Sequence, residues 1–202
     1  MDLSFVGPGI AVIENFYDEH ELKLIWKELN FLTNSGKLLP PDKTGTSRDE
    51  KGNPKKRNKA LFLDEYYKNR NFSNILNLNR KIFGKVNSEF IKSNLMFRYV
   101  HSCNEDSTLV NYYEDGDYYL PHIDMSVYTI ISYLWKEPKK FTGGNLVLRD
   151  LGIELEVKNN MVLYLPSIYV HEVLPISMEE NNKGYGRYSI SQFLFARNAA
   201  DD

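Results

Sequence analysis

YLPHIDMSVYTIISYLW, residues 119–135, is the stretch whose reading decides the fold. Its second half, Val127 to Trp135, is a short run of β-branched and aromatic residues and reads as a strand. Similar runs recur at 95–102, 108–113, 145–149, 161–165, 168–176 and 186–196. Gly116, Pro138, Gly143-Gly144, Asn159-Asn160 and Gly184 punctuate them. Many short strands with frequent turns indicate a sandwich or jelly roll. The first half of the stretch places His122 and Asp124 at the edge of that pattern.

Upstream the pattern differs. Residues 10–14 read as a short strand. Asp18 then starts an amphipathic helix, with Glu21 in the capping-box position and Leu22, Ile25, Trp26, Leu29 and Leu32 at helical spacing. A second helix is predicted over roughly 71–92, with Ile75, Leu78, Ile82, Val86 and Phe90 as its stripe. Between the helices, Ser35 to Lys59 is polar, rich in Gly, Pro, Lys and Asp, and without apolar periodicity, so it reads as a loop and a candidate lid. The expectation is a mainly β chain with N-terminal helices around a double-stranded β-helix (jelly-roll, cupin-like) core. One domain would span 1–202, with helical support over roughly 1–94 and the core over roughly 95–197.

The 202 residues are 42% apolar and 13% aromatic, the balance of a chain that buries a full core. A net charge of −2 argues against general attraction to nucleic acid or membrane, while leaving room for a local basic patch. Cys103 has no partner for an internal disulfide, which fits a reducing compartment. The start, MDLSFVGPGIAVIENF, has no basic segment followed by a long apolar run, and no stretch approaches a spanning helix. A soluble, cytoplasmic protein is expected.

On a strand, His122 and Asp124, two apart, project from the same side. His171 lies on another strand and must be brought across by the fold. Two neutral imidazoles and one carboxylate suit Fe(II), and three protein ligands leave three octahedral positions open. An isolated H-x-D is usually a surface loop, and an isolated His171 would be a hydrogen-bonded structural histidine. The pattern matters because only four histidines exist and two fall at these places. His20 and His101 read as solvated or structural. Glu172 should face away from His171 on its strand and is excluded as a ligand. Arg187 and Ser189 share one face of a later strand, inside the apolar run YSISQFLF. A guanidinium matches a carboxylate with two hydrogen bonds, and a buried arginine needs an anionic partner. The pair is therefore read as an anion site for an acid chelated to the metal.

Taken in order, these segments resemble the prolyl 4-hydroxylase-like branch of the 2-oxoglutarate and Fe(II)-dependent oxygenases. Tyr113-x-x-Gly116-x-x-Tyr119-x-x-His122-x-Asp124 is similar to that family's approach to its first two ligands. Thr129-Ile-Ile-Ser-Tyr133-Leu resembles the core strand that follows, Phe141-Thr-Gly-Gly-Asn-Leu the double-glycine turn, and Leu165-Pro-Ser167 leading to His171-Glu-Val the segment of the third ligand. The resemblance implies Fe(II) on His122, Asp124 and His171. It implies 2-oxoglutarate chelated to the iron and held by Arg187, with Ser189, Tyr133 and Tyr113 as further partners. O2 would be the oxidant and ascorbate a candidate accessory cofactor. The implied reaction hydroxylates an unactivated C–H bond and releases succinate and CO2, with a prolyl residue of a peptide or protein as the first-choice substrate. Two departures bear on that substrate: collagen-type enzymes carry lysine where Arg187 stands, and MEENNKGYG lengthens the path from His171 to Arg187.

Two alternatives stand beside it. Asn111-x-Tyr113-x-x-Gly116 also resembles AlkB-type nucleic-acid demethylases, and Lys51, Lys55, Lys56, Arg57 and Lys59 could contact phosphates. Against this, the second arginine of that family is absent at its spacing, Arg197 lying ten residues beyond Arg187. The other alternative is a non-enzymatic, cupin-like metal-binding protein, which would have no use for an arginine and serine aimed at a chelated acid.

Overall fold

The computed structural model describes residues 2–197. Its strands are β1 (Asp2–Gly7), β2 (Ile10–Glu14), β3 (Lys59–Phe62), β4 (Glu105–Tyr113), β5 (Tyr119–His122), β6 (Tyr128–Leu134), β7 (Thr142–Gly143), β8 (Leu146–Leu148), β9 (Ile153–Leu155), β10 (Met161–Pro166), β11 (His171–Val173), β12 (Ile176–Ser177) and β13 (Arg187–Phe195). The large sheet runs β1-β2-β10-β6-β13-β4-β3, the small one β5-β11-β8-β9, and β12 pairs with β7. Every pairing is antiparallel. From β4 in the large sheet the chain passes to the small sheet at β5, to the large at β6, to the small at β8 and β9, to the large at β10, to the small at β11 and to the large at β13. That repeated crossing makes the mainly β, jelly-roll core.

Side-chain alternation in the large sheet assigns the two faces. Val110, Tyr112, Tyr128, Ile130, Val162, Tyr164, Tyr188 and Ile190 point into a core shared with the helices. The odd-numbered neighbours Tyr113, Ile131, Tyr133, Leu163 and Leu165 point between the sheets, with Leu146 and Leu148 of β8 opposite. Helices therefore cover one face of the large sheet and the small sheet covers the other, which is why β6 and β10 are buried at every position. Truncating one of these fully buried leucines would cost roughly 2–5 kcal/mol.

The helix α1 (Glu19–Asn34) forms as expected. Asp18 Oδ1 accepts from the Glu21 amide at 2.8 Å, and Glu21 Oε2 accepts from the Asp18 amide at 2.9 Å, closing the capping box. Ile25, Leu29 and Leu32 are buried beneath it. Glu28, on the same face, accepts from Ser73 Oγ at 2.7 Å and from the Ile75 amide at 3.0 Å.

Two predicted elements differ. Over 71–92 there is no single helix but a series: a 3-10 turn at Arg70–Phe72, α3 (Asn74–Leu78), a 3-10 segment at Asn79–Lys85 and α4 (Ser88–Ser93), preceded by the short α2 (Leu63–Tyr66). Ser73 and Asn87 cap new helix starts inside the stretch, each satisfying amides that a continuous helix would use internally. Ile75, Ile82, Val86 and Phe90 are nonetheless buried as the stripe requires. The predicted strand at 95–102 is a 3-10 turn, Leu95–Phe97, running into α5 (Arg98–Ser102). Phe97 and Val100, three apart, are its buried residues, and Leu95 and Tyr99 are exposed, a helical spacing rather than an alternating one. The predicted strand at 168–176 divides into β11 and β12. The first half of the chain is also less purely helical than expected, because β1, β2 and β3 form the two edges of the large sheet.

Candidate active site

His122 ends β5 and His171 begins β11, and the two residues are direct cross-strand partners. Both rings therefore rise from one face of the small sheet, with centroids 4.3 Å apart. Asp124 lies just past the end of β5, so strand alternation is not what aims it. Its amide donates to the Ser167 carbonyl at 3.2 Å, and its Oδ2 accepts from Thr129 Oγ1 at 2.6 Å. Thr129 and Ser167 are joined at 2.9 Å, and Ser167 and Ser126 at 2.7 Å. This hydroxyl cluster turns the carboxylate inward, leaving Asp124 Oδ1 3.7 Å from His122 Nε2 and Oδ2 3.6 Å from His171 Nε2. One ligand atom from each of the three residues lies within 4.8 Å of the others, the separation one small cation can bridge.

The far side of each imidazole is also fixed. His122 Nδ1 lies 2.8 Å from the Leu120 carbonyl and His171 Nδ1 3.0 Å from the Tyr169 carbonyl. A carbonyl can only accept, so each Nδ1 carries the proton and each Nε2 presents a lone pair inward. Burial first, and then the neighbouring His171, push the His122 pKa down to about 3, so the ring is neutral and ready to ligate. Tyr119 stacks on His122 with ring centroids 3.5 Å apart. Its hydroxyl accepts from the Ser47 amide at 3.2 Å, tying the 45–47 segment to the ligand.

The three residues open on a cavity of about 370 Å³, which Tyr113, Tyr133 and Ser189 also line. Arg187 is 0% exposed. It does not line the cavity but packs against two rings that do, its guanidinium carbon 4.7 Å from the Tyr113 centroid and 5.4 Å from that of Tyr133. Register explains the cluster: Arg187 pairs with Tyr113 on β4, and Ser189 with Tyr133 on β6. Arg187 Nη1 donates to the Gly144 carbonyl, while Nε, Nη2 and the Tyr133 hydroxyl find no partner. Buried donors without acceptors are rare and costly. Burial also lowers the arginine's pKa. Gly144 makes the contact possible. Its φ of +77° suits glycine, and a Cβ there would lie 2.9 Å from Ile176 Cγ1 and 3.1 Å from Arg187 Nη1.

The structure thus brings His122, Asp124 and His171 together at one end, and Arg187, Ser189, Tyr133 and Tyr113 at the other. Glu172 points away and pairs with Arg149. His20 is exposed, and His101 Nε2 contacts the Val86 carbonyl at 2.9 Å. Lys56 is buried, Lys55 Nζ donates to the Pro121 carbonyl at 3.1 Å, and Arg57 lies 3.8 Å from Asp117. Arg197 pairs with Glu105 at 2.5 Å on the exterior. Sequence reasoning missed the roles of Thr129 and Lys56. A threonine opening the apolar run TIISYLW was a usable signal, whereas nothing in the aperiodic 35–59 segment pointed to Lys56.

Residues 108–195 match the profile of the 2OG-Fe(II) oxygenase superfamily. No curated protein matches the chain in sequence. Among solved structures, a Pseudomonas putida prolyl-4-hydroxylase is similar with a TM-score of 0.56 at 17% identity, covering 95% of this chain and 94% of that one. OsALKBH1 is similar with a TM-score of 0.56 at 14% identity, over 94% and 100% of the two chains. NgTET1 in complex with 5mC DNA is similar with a TM-score of 0.51 at 16% identity, over 94% and 72%. Among the described residues no helix is long and apolar enough to cross a membrane. The matched segment runs from β4 to β13, and the fold of the chain is the one these solved structures share.

Proposed function

We propose that this chain is an Fe(II)- and 2-oxoglutarate-dependent dioxygenase that hydroxylates an unactivated C–H bond, with a prolyl residue of a peptide or protein as its substrate. The observation that carries the reading is the pairing of two features in one molecule. Three ligand atoms converge within 4.8 Å, and behind the Tyr113 and Tyr133 rings that line their cavity a fully buried arginine has two donor nitrogens without acceptors. A metal-storing or purely structural barrel would have no reason to keep the second feature.

The donor set fits ferrous iron: two imidazole nitrogens and one carboxylate, with coordination positions left for other ligands. When bound, the iron supplies the redox chemistry that couples O2 and 2-oxoglutarate to C–H hydroxylation. The remaining work belongs to side chains. The Leu120 and Tyr169 carbonyls hold the two imidazoles in the ligating tautomer. Thr129 holds the Asp124 carboxylate by donating to it. Arg187 Nε and Nη2, with the Tyr133 hydroxyl and Ser189, take up the far carboxylate of 2-oxoglutarate, which satisfies the orphaned donors. Leu146 and the two tyrosine rings keep water from this end. The overall balance is substrate C–H plus O2 plus 2-oxoglutarate giving C–OH, succinate and CO2.

Support for a peptide over a nucleic acid comes from Arg197, which faces outward on Glu105. The test is succinate release from anaerobically Fe(II)-loaded protein exposed to O2, 2-oxoglutarate and a panel of proline-containing peptides. Mass spectrometry should show a gain of one oxygen on the peptide. Loss of a methyl group from a methylated oligonucleotide, with all peptides inert, would replace this substrate reading.

A further inference from the structure

Lys56 is only 3% exposed, although lysine is among the residues least often buried. It lies in the 35–59 segment, yet its backbone is anchored on both sides. Residue 56 bridges to Tyr119, the Leu120 amide donates to the Lys55 carbonyl at 2.9 Å, and the Arg57 amide to the Tyr118 carbonyl at 3.0 Å. This strand-like attachment to the approach of β5 turns the Lys56 side chain into the cavity that holds His122, Asp124 and His171. The ammonium stands 5.8 Å from the Tyr119 ring centroid. Among the described residues the one opposite charge felt by the amine is that of Asp124. A metal on Asp124 would take up that charge, and a buried ammonium left without an anion is expensive.

Lys56 is a second buried cation, separate from Arg187. Arg187 stands against Tyr113 and Tyr133, whereas Lys56 comes with Ser47 from the loop wall of the cavity, which Phe62 of β3 and Phe193 of β13 also line. This part of the cavity offers one positive charge near the Tyr119 ring, with Phe62 and Phe193 also lining it, the complement of a small aliphatic group carrying an anion. Resting on the oxygenase reading above, we propose that Lys56 binds a carboxylate of the substrate itself, so that the substrate class is one whose oxidised carbon lies close to a carboxylate. That carboxylate comes from a free amino or imino acid, from a peptide C-terminus or from an acidic side chain beside the target residue.

The test is calorimetric and needs no turnover. Anaerobic Fe(II)-loaded protein is first titrated with 2-oxoglutarate, and failure at this step would count against the oxygenase reading itself. The loaded protein is then titrated with N-acetyl-L-proline and with N-acetyl-L-prolinamide, which share a shape and differ by one charge. Two further pairs distinguish the source: Gly-Gly-Pro with its C-terminal amide, and amidated Gly-Pro-Glu-Gly with its Gln counterpart. The expected result is binding of at least one carboxylate probe roughly tenfold or more tighter than its amide. Lys56→Gln should abolish that preference, and Lys56→Arg should restore part of it. Equal binding of carboxylate and amide by the unaltered protein, or no carboxylate binding once 2-oxoglutarate is bound, would overturn the proposal without needing any variant. A preference that survives Lys56→Gln would overturn it too, as would Lys56-dependent binding confined to a 5-methylcytosine oligonucleotide.

Discussion

One cavity has two unlike walls. The sheet wall is built from β4, β6 and β13, where Tyr113, Tyr133, Arg187 and Ser189 are set by cross-strand register. The loop wall is built from residues 45–56, held by single bridges and by hydrogen bonds to the Tyr119 hydroxyl and the Pro121 carbonyl. On the sheet wall the position of each side chain follows from strand parity, so the chemistry there can be read from spacing. On the loop wall it follows from tertiary attachment, which spacing does not encode. Under the proposed function, the cosubstrate would meet the rigid sheet wall and the substrate the loop wall.

Several measurements would break or sharpen that contrast. The largest effect should come from the ligands: His122→Ala or Asp124→Ala should abolish metal-dependent 2-oxoglutarate binding and succinate release, read by calorimetry and by product assay. Arg187→Ala should weaken 2-oxoglutarate roughly tenfold to a hundredfold while leaving metal affinity in place, because it removes only the distal anchor. Thr129→Val, which keeps shape but deletes the donor to Asp124 Oδ2, should weaken metal binding by about tenfold in a competition titration with a chelator. Gly144→Ala should lower stability by about 1–2 kcal/mol in denaturant melts, since the Cβ must enter a left-handed conformation against Ile176 and Arg187.

A last effect is in pH. The folded His122 pKa is held at about 3, below its ordinary value of 6.5, so the unfolded chain binds this proton first as pH falls. The contribution of the neutral ring is fully present above 6.5 and is lost as pH drops toward 3. Thermal melts of metal-free protein should therefore fall more steeply through that window than melts of His122→Gln. Parallel profiles would show that the ring is not buried as described.

Much of the sheet wall was legible. β2 and the long central strands follow from β-branched and aromatic runs, and the convergence of His122, Asp124, His171 and Arg187 was expected from a small histidine count and one arginine in an apolar run. The stretches that misled share a cause. At 95–102, β-forming residues occupy a helix because Asn94 caps it through the Met96 amide and the burial of Phe97 and Val100 outweighs propensity. At 71–92 the apolar stripe was right, but Ser73 and Asn87 break the helix by capping locally. Asp124 reaches the site through Thr129 and Ser167 rather than through strand parity. Lys56 read as one of several loop cations, because its burial depends on pairing with a strand more than sixty positions away.

The central claim is that the three convergent ligands and the buried arginine act on one dicarboxylate. Titrating 2-oxoglutarate into anaerobic protein, with and without Fe(II), and repeating it with Arg187→Ala tests this most directly. Binding should require the metal and be weakened at least about tenfold by the substitution. Binding indifferent to both the metal and Arg187 would contradict it.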